Sequence, residues 1–213
     1  MLNGHLLCAQ FQDSLDACIK RGGKLTGSFG TRNSFISQSR ADIFGIKGGV
    51  SFGRKLRVGG GFFFLKQRDG SPLNYKQALY NPETGLEENV QLKLNLYYWA
   101  YYVEYVYHKS KRWEFSTPLQ FGIGASSYSY HFSDHKERHQ THLVLLYEPG
   151  VSIEYSIFQW LGVSGHIGYR FMLKNNRSIR QSFNSPMYAA GISIYWDELF
   201  KLAFPESKWA KML

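Results

Sequence analysis

From Lys24 onward the chain falls into eight stretches whose side chains alternate, one apolar and the next small or polar, and a period of two is the signature of β-strands. The stretches are Lys24 to Asn33, Asp42 to Gly53, Lys55 to Gln67, Asn95 to His108, Arg112 to Tyr130, His142 to Ile157, Gln159 to Leu173 and Pro186 to Asp197. In the seventh, Leu161, Val163, Ile167, Tyr169 and Phe171 share one face, while Gly162, Ser164, His166, Gly168 and Arg170 share the other. In the fourth, Tyr97, Trp99, Tyr101, Val103, Tyr105 and Tyr107 fill one face completely. No intervening stretch has a helical period.

Alternation alone does not say which face is inside, because a soluble barrel hides its apolar face and a membrane barrel displays it. The composition of the polar face decides. Ten glycines of strands two to eight fall on it (Gly45, Gly49, Gly59, Gly61, Gly122, Gly124, Gly150, Gly162, Gly168 and Gly191), against three on the apolar face. A solvated face would carry Lys, Glu and Thr, whereas the lumen of an eight-stranded barrel is barely wide enough for side chains and favours small ones. The polar face is therefore expected inside, as a packed polar lumen.

Loop lengths make an independent test. Strands two and three, four and five, and six and seven meet within about three residues, as turns at one end of a membrane barrel do. The connections Ser34 to Ala41, Arg68 to Leu94, His131 to Thr141 and Lys174 to Ser185 are long and fall at the other end. Tyr107, Trp113, Trp160 and Trp196 cluster at the short-turn end, where a membrane barrel carries an aromatic girdle. The expected fold is an all-β, eight-stranded, antiparallel, up-and-down transmembrane barrel with short periplasmic turns and long outer loops.

Composition excludes other classes. The longest uninterrupted apolar run is eight residues, Leu96 to Val103, against the roughly 18 that a spanning helix needs. The net charge of +9 raises nucleic acid or an anionic lipid surface as partner, but an all-round apolar belt in place of a basic groove argues against nucleic acid. Cys8 and Cys18 have no second pair and no Cys-x-x-Cys spacing, so neither zinc nor redox work is indicated, and no metal or other cofactor is expected.

Four regions are expected along the chain. Residues 1–10 end in Leu6-Leu7-Cys8-Ala9-Gln10, which reads as the remnant of a secretory signal peptide; Leu7 before Cys8 disfavours a lipoprotein site. Residues 11–23 form an N-terminal periplasmic segment, 24–197 the barrel and 198–213 an amphipathic tail broken at Pro205.

The segments Val58-Gly-Gly-Gly-Phe-Phe-Phe64, Gln120-Phe-Gly-Ile-Gly124 and Pro149-Gly-Val-Ser-Ile-Glu-Tyr155 resemble strands of the small outer-membrane β-barrel domain proteins of Bacteroidetes-type bacteria, within the porin-like and OmpA-like barrels. The likeness spans about Lys24 to Trp196. It implies residence in the outer membrane of a Gram-negative bacterium and, the family being functionally mixed, no particular activity. Such barrels often end on an aromatic residue. Here Ala190-Gly-Ile-Ser-Ile-Tyr-Trp196 has that ending but is followed by Asp197 to Leu213.

Three groups of residues are candidates for function. The inward face carries Lys47, Arg57, Glu104, Glu114, Glu148, Glu154, His166 and Arg170, with Gln120 between them. These nearly balance and are expected to form a salt-bridge plug, with a gated pore or proton path as the alternative. The third outer loop holds His131, Ser133, His135, His139 and His142 without a fixed metal-ligand spacing. His131-Phe-Ser133 is similar to the His-x-Ser motif of outer-membrane lipid A deacylases, which would make His131 the base and Ser133 the nucleophile. In that family the motif lies near the C-terminus, whereas here three strands follow. Lys136, Arg138, Lys174, Arg177 and Arg180 lie in outer loops, where they would meet lipopolysaccharide phosphates or remain solvated.

The expected role is non-enzymatic: envelope stability, adhesion or service as an accessory subunit of an outer-membrane complex. The loop 68–94 and the tail 198–213 are the expected contacts with other outer-membrane or periplasmic proteins. A lipid A acyl hydrolase and a soluble lipocalin-like carrier are the competing readings.

Overall fold

The computed structural model describes residues 23–36, 39–53, 55–66, 73–81, 85–132, 135–174 and 184–204, and the side chains of all these except 35–36, 39–40, 75, 131–132 and 135–140. Among the described residues there are nine strands: β1 (Gly23–Ile36), β2 (Ser39–Phe52), β3 (Leu56–Leu65), β4 (Tyr75–Tyr80), β5 (Glu87–Lys109), β6 (Trp113–Phe132), β7 (His135–Ser156), β8 (Leu161–Lys174) and β9 (Ser185–Tyr195). A helix, α1 (Trp196–Ala203), follows the last strand. Every pairing is antiparallel, in the order β3-β2-β1-β9-β8-β7-β6-β5-β4. The pairing of β3 with β5 closes eight of these strands into a ring and leaves β4 outside it. The all-β up-and-down barrel expected from the alternation is thus what the chain forms.

The faces sort as the glycine count implies. Ile46, Tyr101, Phe121, Ile167 and Leu173 lie open on the outer surface, with Ile167 67 % and Tyr101 64 % exposed. Arg32, Arg57, Glu104, Glu148 and Arg170 are buried within the ring. The inward glycines make room for large neighbours: a Cβ at Gly45 would overlap the Phe63 ring, and one at Gly162 would stand 2.9 Å from Glu154 Oε1.

The lumen is not polar throughout, and here the structure corrects the expectation. Toward the end remote from the short turns, Ile43, Phe63, Leu65, Leu92, Leu94, Val144 and Leu146 pack into one buried apolar cluster that also takes in Leu73 and Val90. The reason is length. β5 starts at Glu87 rather than Asn95, so Leu92, Leu94 and Leu96 continue the inward parity of Tyr98 and Glu104 and fill the outer end.

The long connections also differ from expectation. Ser34 to Ala41 and His131 to Thr141 are mostly ladder, since β1 pairs with β2 through Ile36–Ser39 and β6 with β7 through Phe132–His135. Within 68–94, β4 pairs with β5 from Tyr75–Leu92 to Tyr80–Glu87. Polar segments that alternate weakly still satisfy their backbone groups by pairing, which their side chains do not announce. The asymmetry between the two ends survives as strand length. The short turns fall at 53–55, 110–112 and 157–160, closed by Lys55 N to Phe52 O at 3.1 Å, Ser110 N to Trp113 O at 2.8 Å and Ile157 N to Leu161 O at 2.9 Å. Gly53 takes φ 55° in the first of them, a left-handed conformation suited to glycine.

Candidate functional site

Two charge clusters cross the lumen between the apolar plug and the short-turn end. The first is centred on Glu148 of β7. Arg170 Nε donates to Glu148 Oε1 at 2.6 Å, and Arg32 Nη1 donates to Oε2 at 2.8 Å. Gln120 Nε2 donates to the same Oε2 at 2.5 Å while its Oε1 accepts from Arg32 Nη2 at 2.9 Å. Tyr98 donates to Oε1 at 3.3 Å and accepts from Arg170 Nη2 at 3.2 Å. Phe63 stacks on Tyr98 with ring centres 5.0 Å apart, and the Arg32 guanidinium lies 4.0 Å over Phe63, so the cluster merges into the apolar plug.

The second cluster is centred on Arg57 of β3. Its guanidinium pairs with Glu104 at 3.4 Å, Glu154 at 3.8 Å and, at closer range, Glu114. Arg57 Nη2 donates to the Tyr195 hydroxyl at 3.2 Å, and Tyr195 in turn donates to Glu154. Ser116 Oγ donates to Glu104 at 2.5 Å, Ser193 Oγ donates to Glu154 at 3.0 Å, and Lys109 pairs with Glu114. Three carboxylates around one guanidinium would leave repulsion unanswered; Lys109 and the hydroxyls supply the remaining donors.

A cavity of about 80 Å³ lies between the clusters, lined among others by Lys47, Arg57, Tyr102, Ser152 and His166. The Lys47 ammonium sits 5.3 Å over the Tyr102 ring, and His166 Nδ1 shares a hydrogen bond with Ser152 Oγ at 3.0 Å. The space suffices for a few water molecules.

The eight lumen residues named from the sequence therefore lie inside the ring in three groups: Glu148 with Arg170; Arg57 with Glu104, Glu114 and Glu154; and Lys47 and His166 on the cavity. Arg32, Tyr98 and Tyr195 belong to the same network and were not among them. Parity on β1 points to Arg32, since exposed Leu25 and Phe29 set odd positions outward and Arg32 inward. With Arg32, the described residues of the lumen include four cations (Arg32, Lys47, Arg57, Arg170) and four carboxylates (Glu104, Glu114, Glu148, Glu154).

At the short-turn end Tyr107, Trp113 and Trp196 are exposed and Trp160 is half-buried. Trp113 packs on Tyr155 with centroids 4.8 Å apart, Trp160 stacks on Phe158 at 5.8 Å, and Trp196 covers Gly27. Helix α1 is pinned to β1 there: Leu25 N donates to Asp197 Oδ2 at 3.0 Å, and Lys24 pairs with Glu198 at 2.7 Å. Burial pushes the Asp197 carboxyl above the ordinary aspartate value, while the Leu25 N–H and the Lys24 and Lys201 ammonium groups pull it back.

At the opposite end, His131 is the penultimate residue of β6, and Lys136 and Arg138 lie on β7, with side chains outside the described set. Lys174 ends β8 and is exposed. Ser133, Arg177 and Arg180 lie outside the described residues, as do 1–22 and the tail beyond 204. No group of three or more metal-ligating side chains occurs among the described residues.

No family model matches the chain, and no curated protein matches it in sequence. Solved structures do match in fold. Neisserial surface protein A superposes with a TM-score of 0.50 at 14 % identity, over 81 % of this chain and 96 % of that one. The attachment invasion locus protein Ail of Yersinia pestis, solved with the heparin analogue sucrose octasulfate, gives 0.51 at 12 % identity, over 81 % and 97 %. The fold is that of the eight-stranded outer-membrane β-barrel proteins.

Proposed function

We propose that this chain is a non-enzymatic integral protein of the outer membrane of a Gram-negative bacterium. Its short turns and α1 face the periplasm, and its extended hairpins face outward. The observation that carries the proposal is the inversion of the barrel: aromatic and aliphatic side chains cover its outer wall while arginine–glutamate clusters fill its lumen. In water that wall would be an apolar patch far beyond what soluble proteins tolerate; in lipid it is the required surface. Tyr107, Trp113, Trp160 and Trp196 act in this reading as the inner interfacial girdle. A Bacteroidetes-type origin belongs to the proposal and rests on the strand segments alone.

The two clusters and the apolar plug act as internal bracing, so the barrel conducts no solute. Work is then left to the surfaces outside the membrane: the hairpins β1–β2, β4–β5 and β6–β7, the cations Lys136, Arg138, Lys174, Arg177 and Arg180 toward lipopolysaccharide phosphate, and the periplasmic end. Adhesion, envelope stability or an accessory place in an outer-membrane complex are the roles this arrangement serves. A lipocalin-like carrier would need an open apolar lumen, and the apolar part of this lumen is packed solid by its own side chains.

The test is functional and twofold. Reconstituted in a planar bilayer, the chain should give no discrete conductance steps. Cells displaying it should lose surface adhesion or complex assembly when residues 76–90 are replaced by a short turn, with the barrel still folded. Discrete conductance, or a changed lipid A acylation pattern on expression, would contradict the proposal.

A further inference from the structure

We infer that the short-turn mouth of the barrel is a binding site for a multivalent oxyanion, of the phosphomonoester or diphosphate class. A cavity of about 630 Å³ opens there, inside the size range of small-molecule sites. Five cations line it, Lys24, Arg57, Lys109, Lys111 and Arg112, against two carboxylates, Asp197 and Glu198.

Both carboxylates are already engaged within the protein, Asp197 by the Leu25 N–H and Glu198 by Lys24. Lys109 is taken by Glu114. Lys111 and Arg112 have no carboxylate partner among the described residues; Arg112 Nη1 donates only to the Tyr155 hydroxyl, at 2.9 Å. The positive charge of the mouth is therefore uncompensated at one side of the cavity, on the β5–β6 turn.

Arg57 lines the mouth on the side of the lumen. Arg57 is 7 % exposed and its guanidinium is held by Glu104, Glu114, Glu154 and Tyr195, so among the described residues the free cations of the mouth are those of the β5–β6 turn. The Lys111 ammonium and the Arg112 guanidinium on one wall suit oxygen atoms distributed around phosphorus. Ile157 and Phe158 on the facing turn offer an apolar wall for the carbon skeleton of such a ligand.

The site rests on the membrane reading only for the compartment from which the ligand comes. Its test uses the full chain folded in an amine-oxide detergent, which carries no phosphate, with heat-dependent gel mobility on the same sample reporting the fold. Isothermal titration with inorganic pyrophosphate should show saturable binding that persists when sodium chloride holds ionic strength constant. The double substitution Lys111→Glu with Arg112→Glu, both on an exposed turn, should weaken it by about tenfold or more. Lys174→Glu at the opposite end should leave it unchanged. Absence of saturable binding by a folded barrel, or equal affinity in the double variant, would overturn the inference without touching the membrane reading. Repetition in nanodiscs identifies the natural source. Weakening of pyrophosphate binding when phosphatidylglycerol is added to phosphatidylcholine supports the site with a lipid headgroup as occupant; unchanged affinity supports it with a soluble phosphate.

Discussion

Arg170 Nε and Glu148 Oε1 meet at 2.6 Å between neighbouring strands, with both side chains wholly withdrawn from solvent. Breaking one side of such a pair leaves a charge without its partner in a closed interior. Glu148→Ala is expected to lose about 3–5 kcal/mol of unfolding free energy, because Arg32 and Arg170 would then face each other with no carboxylate between them. The triple substitution Arg32→Met, Glu148→Leu, Arg170→Met should lose much less. Urea unfolding of the detergent- or bilayer-folded chain, followed by tryptophan fluorescence, reads both.

The space above Gly45 belongs to Phe63, whose ring bridges Arg32 and Tyr98. Gly45→Val forces that ring out of its place and should cost about 1–3 kcal/mol by overpacking. Gly48→Val, on the same strand with open space around it, should cost less. A comparison of their unfolding midpoints checks the assignment of the inner face at single-residue resolution.

Ile167 lies open on the outer wall of β8. Ile167→Lys is expected to destabilise the membrane-embedded barrel by up to about 2–4 kcal/mol, depending on its depth. On a water-facing wall the same change would be nearly neutral or improve solubility. Equilibrium unfolding in phospholipid vesicles measures the difference.

Ser133→Ala should leave the acylation pattern of lipid A unchanged, as mass spectrometry of extracted lipid would report. A loss of acyl hydrolysis on this single change would return His131 and Ser133 to the place the motif gives them.

The barrel was readable in the sequence because two independent patterns coincide in it. Leu161 to Phe171 alternate cleanly, and Gly45, Gly162 and their counterparts sit where only a crowded lumen needs them small. Arg57 and its glutamates were readable for the same reason, since parity places them and charge pairs them. The apolar plug was not, because Ile43, Phe63 and Leu65 share inward parity with Lys47 and Arg57, and inward position does not declare how far along the axis a residue lies. Nor was the run of ladder beyond the rim: β4 and the start of β7, His135 to Thr141, bear polar residues on both faces, where pairing leaves no period in hydropathy. Arg32 escaped because Leu25 and Phe29 are the only large apolar markers of parity in the first strand before it.

The central claim is that the apolar wall faces lipid. The measurement that tests it most directly is to express the chain behind a complete export signal, separate inner and outer membranes, and compare its gel mobility with and without boiling. The account predicts recovery with the outer membrane and a band that runs faster unboiled, as a detergent-resistant barrel does. Recovery as a soluble monomer with no heat-dependent shift would contradict it.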